Sequence, residues 1–532
     1  MPDHPRRTVL ELTVTSARPY PNPFTDVTLT ATFTDPAGAE HTIEGFFIGG
    51  GTWQVRFNPG VTGAWHWRTT STPPDPELTR TGSFTVSESA EPGFVQSTPG
   101  QAWGFTRENG DPVFIFGDTV YHLFGVAHND PTHATAVERF LERRAAQGFN
   151  LLRIRVPVSE FHPDDGYNVW QTRSLWPWRG SPQAPRFDEF NLDYFATVDR
   201  VVAQCERLGI GIELIIEAWG FEFPFNDRNR FTAAWEDLWI RYLVARYDAF
   251  NALWFWQLHN EYEYYPNGDW HYDRSGVADR WAIQIAHRVR QLAPHGHPIA
   301  IHNGPELPPL ADRFRSDPTA IDTVMYQTWG TTGETDGWLA AGIETRLDEA
   351  LTGWPGSKVL AEWGYEFNPD LPPMMLGHRW CDADHTRRGA WRGAMRAMGI
   401  IHGFENSWGP FAELDADQPG LDHLLHVRRF FTEIVPFADL RPDHTFVAAQ
   451  PWPRGHAPLT VANPDRSLAV IYLPVGGGLT LAEPAFTSAR WFDPRTGTLH
   501  PEQAVTGSQF TAPDPSNAAR PEDWVLLLRR QA

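Results

Sequence analysis

The chain has 532 residues, of which 41% are hydrophobic and 20% charged, and its formal charge is −21 at pH 7. That length exceeds what one hydrophobic core serves, so two or three globular domains are expected. The acidic balance excludes nucleic acid as a partner, because its phosphates would be repelled. Only Cys205 and Cys381 occur, which rules out a disulfide framework and fits a reducing compartment. The N-terminus, MPDHPRRTVLELTV, lacks the apolar core of a signal peptide, and no run approaches the ~20 apolar residues of a membrane span. A cytoplasmic protein with no membrane partner is therefore expected; a homo-oligomer is left open.

In chain order, residues 1–90 read as an N-terminal β-sandwich, with alternating stretches such as VTLTATFT and WQVRFNP between Pro, Gly and Asp turns. Residues 91–437 then alternate between apolar strand-like runs and helical periods. The runs are PVFIFGDTVYHLF, NLLRIRVP, IGIELIIEAW, ALWFWQLHNEY, HPIAIHN, DTVMYQTW, KVLAEWGYE and IHGFENSW. Helical segments between them include HATAVERFLERRAAQG, FTAAWEDLWIRYLVARY, ADRWAIQIAHRVRQLA and DHTRRGAWRGAMRAMG. Eight such units predict an α/β fold, a (β/α)₈ barrel with long loops. Residues 438–532 return to short strands, such as SLAVIYLP and WVLLLRR, and read as a C-terminal β-sandwich domain.

Two acids stand out. Glu261 closes the fourth run and Glu362 the seventh, at the barrel end where active sites lie. A carboxylate ending a buried strand is costly unless it is hydrogen-bonded or in use. Two across one barrel mouth are what glycoside hydrolysis needs: one protonates the leaving oxygen, the other attacks or activates water. Asn260, just before Glu261, can hold a sugar hydroxyl, and Glu263 is the neighbour most easily mistaken for the acid. Asp118 and His122 on strand one, His302 on strand five and Trp219 on strand three are further candidates for substrate contact. The 24 tryptophans add flat apolar faces suited to stacking on sugar rings.

Other chemistries fit less well. Lys358, the only lysine, opens strand seven, whereas a Schiff-base aldolase needs a lysine near the catalytic face. No His-x-His lies on strand one, and the HGH at 295–297 precedes strand five at the wrong end, so no metal and no cofactor are expected.

Asn260-Glu261 and Glu362 together resemble the signature of the large clan of retaining (β/α)₈ glycosidases. The resemblance implies that Glu261 is the acid/base and Glu362 the nucleophile. It also implies an arginine on strand two near the nucleophile, best matched by Arg155 with Arg153 on the same face. Tyr326 of VMYQTW would contact the nucleophile, and Trp408 of ENSWGPF would form a sugar platform. More narrowly, GDTVYHLF followed by ERFLERRAAQGFNLLRIR is similar to the bacterial apiosidase-like barrel family. That family commonly reads GDTAW where this chain has Val120-Tyr121. FNPGVTGAWHWRTTS resembles the β-sandwich ahead of such barrels, and YLPVGGG with WFDPRTG the small β-domain behind them.

The expectation is a retaining, exo-acting glycosidase that removes a terminal sugar from plant- or microbe-derived oligosaccharides or small glycosides. A transglycosylase at the same site, or a non-catalytic carbohydrate-binding protein on an inactive barrel, are the alternatives.

Overall fold

Eight parallel strands close on themselves at the centre of the molecule. In the computed structural model they are β1 (Phe116–Thr119), β2 (Leu151–Arg155), β3 (Gly211–Trp219), β4 (Leu253–Asn260), β5 (Ile299–His302), β6 (Thr323–Gln327), β7 (Ser357–Glu362) and β8 (Gly399–Phe404). Each pairs with the next, and Phe116 and Asp118 of β1 lie opposite Ile400 and His402 of β8, which closes the barrel. The structure describes residues 3–129, 131–157, 176–181, 183–220, 222–266, 268, 275–304, 309–328, 337–367, 381–404, 414–415, 417–482, 486–514 and 520–530.

Six of the eight strands fall within the apolar runs, and β7 and β8 start one and two residues ahead of theirs, at Ser357 and Gly399; parallel strands are covered on both faces and so read as near-continuous hydrophobic sequence. Leu151, Phe255, Ala300, Met325, Val359, Ala361 and Ile401 fill the barrel interior. Gly117 also faces inward, where a Cβ would come within 2.9 Å of Ile401. The first run is only in part a strand. β1 stops at Thr119, and the apolar residues beyond it continue through a turn into a helix, Leu123–Asn129. The helical periods appear as Pro131–Ala146, Ala233–Tyr247, Val277–Leu292 and Ala383–Ala394 around the barrel.

Ahead of the barrel, a five-stranded and a three-stranded antiparallel-rich sheet enclose Leu29, Phe33, Trp53, Val55 and Trp65. Behind it, strands from Arg441 to Arg529 form a further sheet over Ile471, Trp491 and Leu526. Buried charge ties both flanks to the barrel. Arg56 of the front sandwich donates to Asp199, which also takes Arg246, and Arg387 on the Ala383–Ala394 helix donates to Asp523 near the C-terminus. The HGH segment belongs to this scaffolding. His295 Nδ1 lies 2.6 Å from Asp248 while its Nε2 accepts the Asn58 amide, and His297 bonds the Asp248 carbonyl.

Candidate active site

Glu261 sits just past β4 with φ 56° and ψ 61°, a left-handed conformation unusual for glutamate, and starts the short turn Tyr262–Tyr264. Strain of this kind gathers at functional sites. Here it breaks the alternation of the strand, so that Asn260 and Glu261 both serve the mouth.

Glu362 arrives by a different device. Val359 and Ala361 face inward and Leu360 outward, so strict alternation would turn Glu362 outward as well. The register slips between β6 and β7: Tyr326 pairs with Leu360, but Gln327 pairs with Glu362. The extra residue on β7 carries Glu362 to the inner face, as a bulge re-aims a side chain.

The two carboxylates share one donor. Gln327 Nε2 lies 2.7 Å from Glu261 Oε1 and 2.9 Å from Glu362 Oε1. The other oxygen of Glu362 faces the Tyr121 hydroxyl at 3.2 Å, His302 Nε2 at 3.7 Å and Arg153 Nη1 at 3.5 Å. Tyr365 follows Glu362 through the Trp363–Gly364 turn and donates its hydroxyl to that of Tyr121 at 3.4 Å. Asn260 Oδ1 accepts from Arg153 Nη2 at 2.8 Å, and Asn260 Nδ2 is buried with no partner. His302 is wholly buried; its Nδ1 accepts the Glu261 amide at 3.3 Å, so its Nε2–H points toward Glu362. Burial and the Arg153 charge hold His302 well below the usual imidazole range, so it is neutral.

Electrostatics separate the two acids. Burial, and then the nearby Glu362, push the Glu261 carboxyl up to about 8, so it carries a proton at neutral pH. Beneath them Arg153 donates Nε to Glu213 Oε1 at 3.1 Å, and burial pushes Glu213 up to about 7.

Several expected contacts are corrected by the structure. Tyr326 is not beside Glu362: with Met325 facing inward it must face outward, and its hydroxyl donates to the Arg346 carbonyl at 3.3 Å. Tyr121 of the β1 turn brings a hydroxyl to Glu362 instead. Arg153, rather than Arg155, is the strand-two arginine at Glu362. Arg155, one layer higher, donates to Glu222 at 2.7 Å and to His122 Nε2 at 3.1 Å. His122 thus lines the mouth as a partner of Arg155, and burial with that charge keeps it neutral. Asp118 faces outward between Gly117 and Thr119 and accepts from Arg144 of the surrounding helix at 2.8 Å, away from the mouth. Glu263 is a structural acid that accepts from Arg313 at 2.7 Å and from the Gly304 amide. Glu217 pairs with Arg228 at 2.6 Å. Trp219 ends β3 in register with Asn260, while its side chain, and the whole of Trp408, lie outside the described residues.

Sequence reasoning missed Gln327, Tyr365 and Glu213. Gln327 is two residues on from the inward Met325, which is the one signal that pointed to it. Among the described residues no group of three His, Cys, Asp or Glu could hold a metal, and no helix is long and apolar enough to cross a membrane.

A closed (β/α)₈ barrel with two glutamates at its mouth and β-domains on both flanks is the architecture of a glycoside hydrolase. Residues 102–430 match the family described as "Apiosidase-like, catalytic domain", and the chain belongs to that family. Residues 6–72 match a domain of unknown function, DUF5060, and residues 442–529 one described as "Putative collagen-binding domain of a collagenase". No curated protein matches the chain. Among solved structures, a "putative glycoside hydrolase" from Bacteroides vulgatus ATCC 8482 is 18% identical with a TM-score of 0.73, over 99% of this chain and 100% of that one. A glycoside hydrolase family 5 protein from the same organism is 15% identical with a TM-score of 0.59, over 82% and 94%. At these identities the likeness is one of fold.

Proposed function

We propose that the protein is a retaining, exo-acting glycosidase working by double displacement. In the first step a Glu362 carboxylate oxygen bonds to the anomeric carbon while the glycosidic C–O bond breaks. Glu261 gives its proton to the departing oxygen. In the second, Glu261, now ionised, takes a proton from water; the water oxygen bonds to the anomeric carbon and releases Glu362.

The observation that carries this reading is the span of Gln327. The two carboxylate oxygens it holds can be no farther apart than the sum of its two bonds, 5.6 Å. A single nitrogen bonded to one oxygen of each acid supports the shorter carboxyl spacing of retaining enzymes, about 5–5.5 Å, over the about 6.5–9.5 Å of inverting ones, which admit a water. The raised Glu261 carboxyl suits a general acid. The buried, unpartnered Asn260 Nδ2 is suited to a sugar hydroxyl, with Trp408 kept as a candidate sugar platform by family likeness and Trp219 as a candidate substrate contact at the end of β3.

The substrate in this proposal is a plant- or microbe-derived oligosaccharide or small glycoside, and membership of the apiosidase-like family favours pentose or deoxysugar units. Hydrolysis of a panel of p-nitrophenyl pyranosides and furanosides, with Glu362→Ala beside wild type, tests it. Release of one sugar, lost in the variant and restored by azide as a glycosyl azide of inverted configuration, would establish nucleophile and retention together. Direct formation of the inverted sugar by wild type would overturn retention. Chain-internal cleavage of a linear oligosaccharide would overturn exo action.

A further inference from the structure

Gln327 is held more firmly than a side chain that merely fills space. Asn303 clamps its main chain from both sides, accepting the Gln327 amide at 2.8 Å and donating to the Gln327 carbonyl at 3.0 Å. Its side chain is buried, and the amide nitrogen is directed at Glu261 and Glu362 together. A neutral amide offers two N–H donors on one nitrogen, so it can serve both acids at once without adding charge.

We propose that Gln327 is a positioning residue that governs where the catalytic proton resides, dividing its two N–H bonds between the acids in the free enzyme and favouring Glu261 once Glu362 is esterified. The proposal rests on the retaining reading. A donor to a carboxylate stabilises its ionised form. When Glu362 becomes an ester its oxygen loses its charge, and a charge-assisted hydrogen bond weakens to a neutral one. Gln327 then stabilises the carboxylate of Glu261 at the stage where Glu261 must act as base.

Other groups facing Glu261 act in both directions. Glu362 from β7 and Glu263 of its own turn favour the protonated form, Arg153 from β2 favours the ionised form, and His302 from β5 is neutral. Tyr121 and Tyr365 stay protonated through burial. Gln327 is a neutral donor that reaches both acids.

The test follows Glu261 directly, without a substrate. Protein carrying ¹³C-carboxyl glutamate is titrated by NMR, with Glu261→Gln used to assign the resonance, in wild type, Gln327→Leu and Gln327→Met. Loss of the shared donor should raise the Glu261 midpoint by roughly one pH unit in both variants. On a substrate found in the panel, the basic limb of kcat/KM should move up by the same amount. A midpoint unchanged in a folded Gln327→Leu or Gln327→Met protein would overturn the proposal. Failure of azide to rescue Glu362→Ala would instead count against the retaining reading and leave the titration result standing.

Discussion

Arg153 Nε lies 3.1 Å from Glu213 Oε1, and both side chains are wholly buried within the barrel. The two residues are register partners on β2 and β3, and the pair presents the guanidinium to Asn260 and Glu362. Breaking a buried pair leaves an uncompensated charge. Glu213→Ala should therefore destabilise the fold by about 3–5 kcal/mol, visible as a large fall in Tm. Glu213→Gln, which keeps an acceptor for Arg153, should lose clearly less. Equal losses in the two variants would show that a neutral acceptor does not replace the carboxylate opposite Arg153.

Tyr121→Phe removes the hydroxyl that faces Glu362 and keeps the ring. A lost hydrogen bond to a charged group is worth about 1.5–3 kcal/mol. Glycosidase kcat/KM should accordingly fall by about 10- to 100-fold, with Tm little changed. Tyr326→Phe, whose hydroxyl meets only the Arg346 carbonyl, should leave kcat/KM near wild type. The reverse ranking would restore the contact with Glu362 to strand six.

Glu261→Gln should abolish hydrolysis of unactivated glycosides yet raise stability at higher pH. Because the folded state raises this carboxyl to about 8, it binds more protons than the unfolded chain between the ordinary glutamate range and pH 8. Wild type thus loses stability as pH rises through that window, whereas the glutamine variant has no proton to lose there. The two stabilities should agree near pH 4 and diverge by about 1 kcal/mol or more at pH 8, allowing for partial exposure of the side chain, with the Tm values separating accordingly. A constant gap would exclude the raised carboxyl.

Asp523 accepts from Arg387 at 2.8 Å and from the Tyr472 hydroxyl at 3.1 Å, and lies 3.5 Å from Arg388. These arginines hold its carboxyl well below the usual range despite burial. Asp523→Asn should cost about 3 kcal/mol at neutral pH. The stabilisation is fully present above the ordinary aspartate range and is lost as pH falls below about 4. The Tm gap between wild type and variant should therefore be constant from pH 5 to 8 and shrink in acid. Early proteolytic release of residues after Arg441 in the variant would locate the lost contact at the barrel's junction with the C-terminal domain.

The barrel was legible because strands covered on both faces leave long apolar runs, and each of the eight runs overlaps its strand. Glu261 and Glu362 were legible because an acid closing such a run is costly and asks for a reason. What surrounds them was harder to read. Alternation along LLRIR puts Arg153 and Arg155 on one face, but only their height in the barrel decides that Arg153 meets Glu362 while Arg155 meets Glu222 and His122. Alternation also separates Tyr326 from Gln327, yet a resemblance centred on a strand-six tyrosine selected the wrong neighbour. Asp118 looked like a mouth residue because the first apolar run conceals where β1 ends.

The sequence by itself determined the barrel, its two flanking β-domains and the two glutamates at its mouth, since burial periodicity and the cost of an isolated buried charge are written locally. Only the tertiary structure decided which side chains serve those glutamates. A one-residue register slip between β6 and β7, and a left-handed residue after β4, change which face a side chain takes. Both are settled by cross-strand pairing, which no single segment encodes.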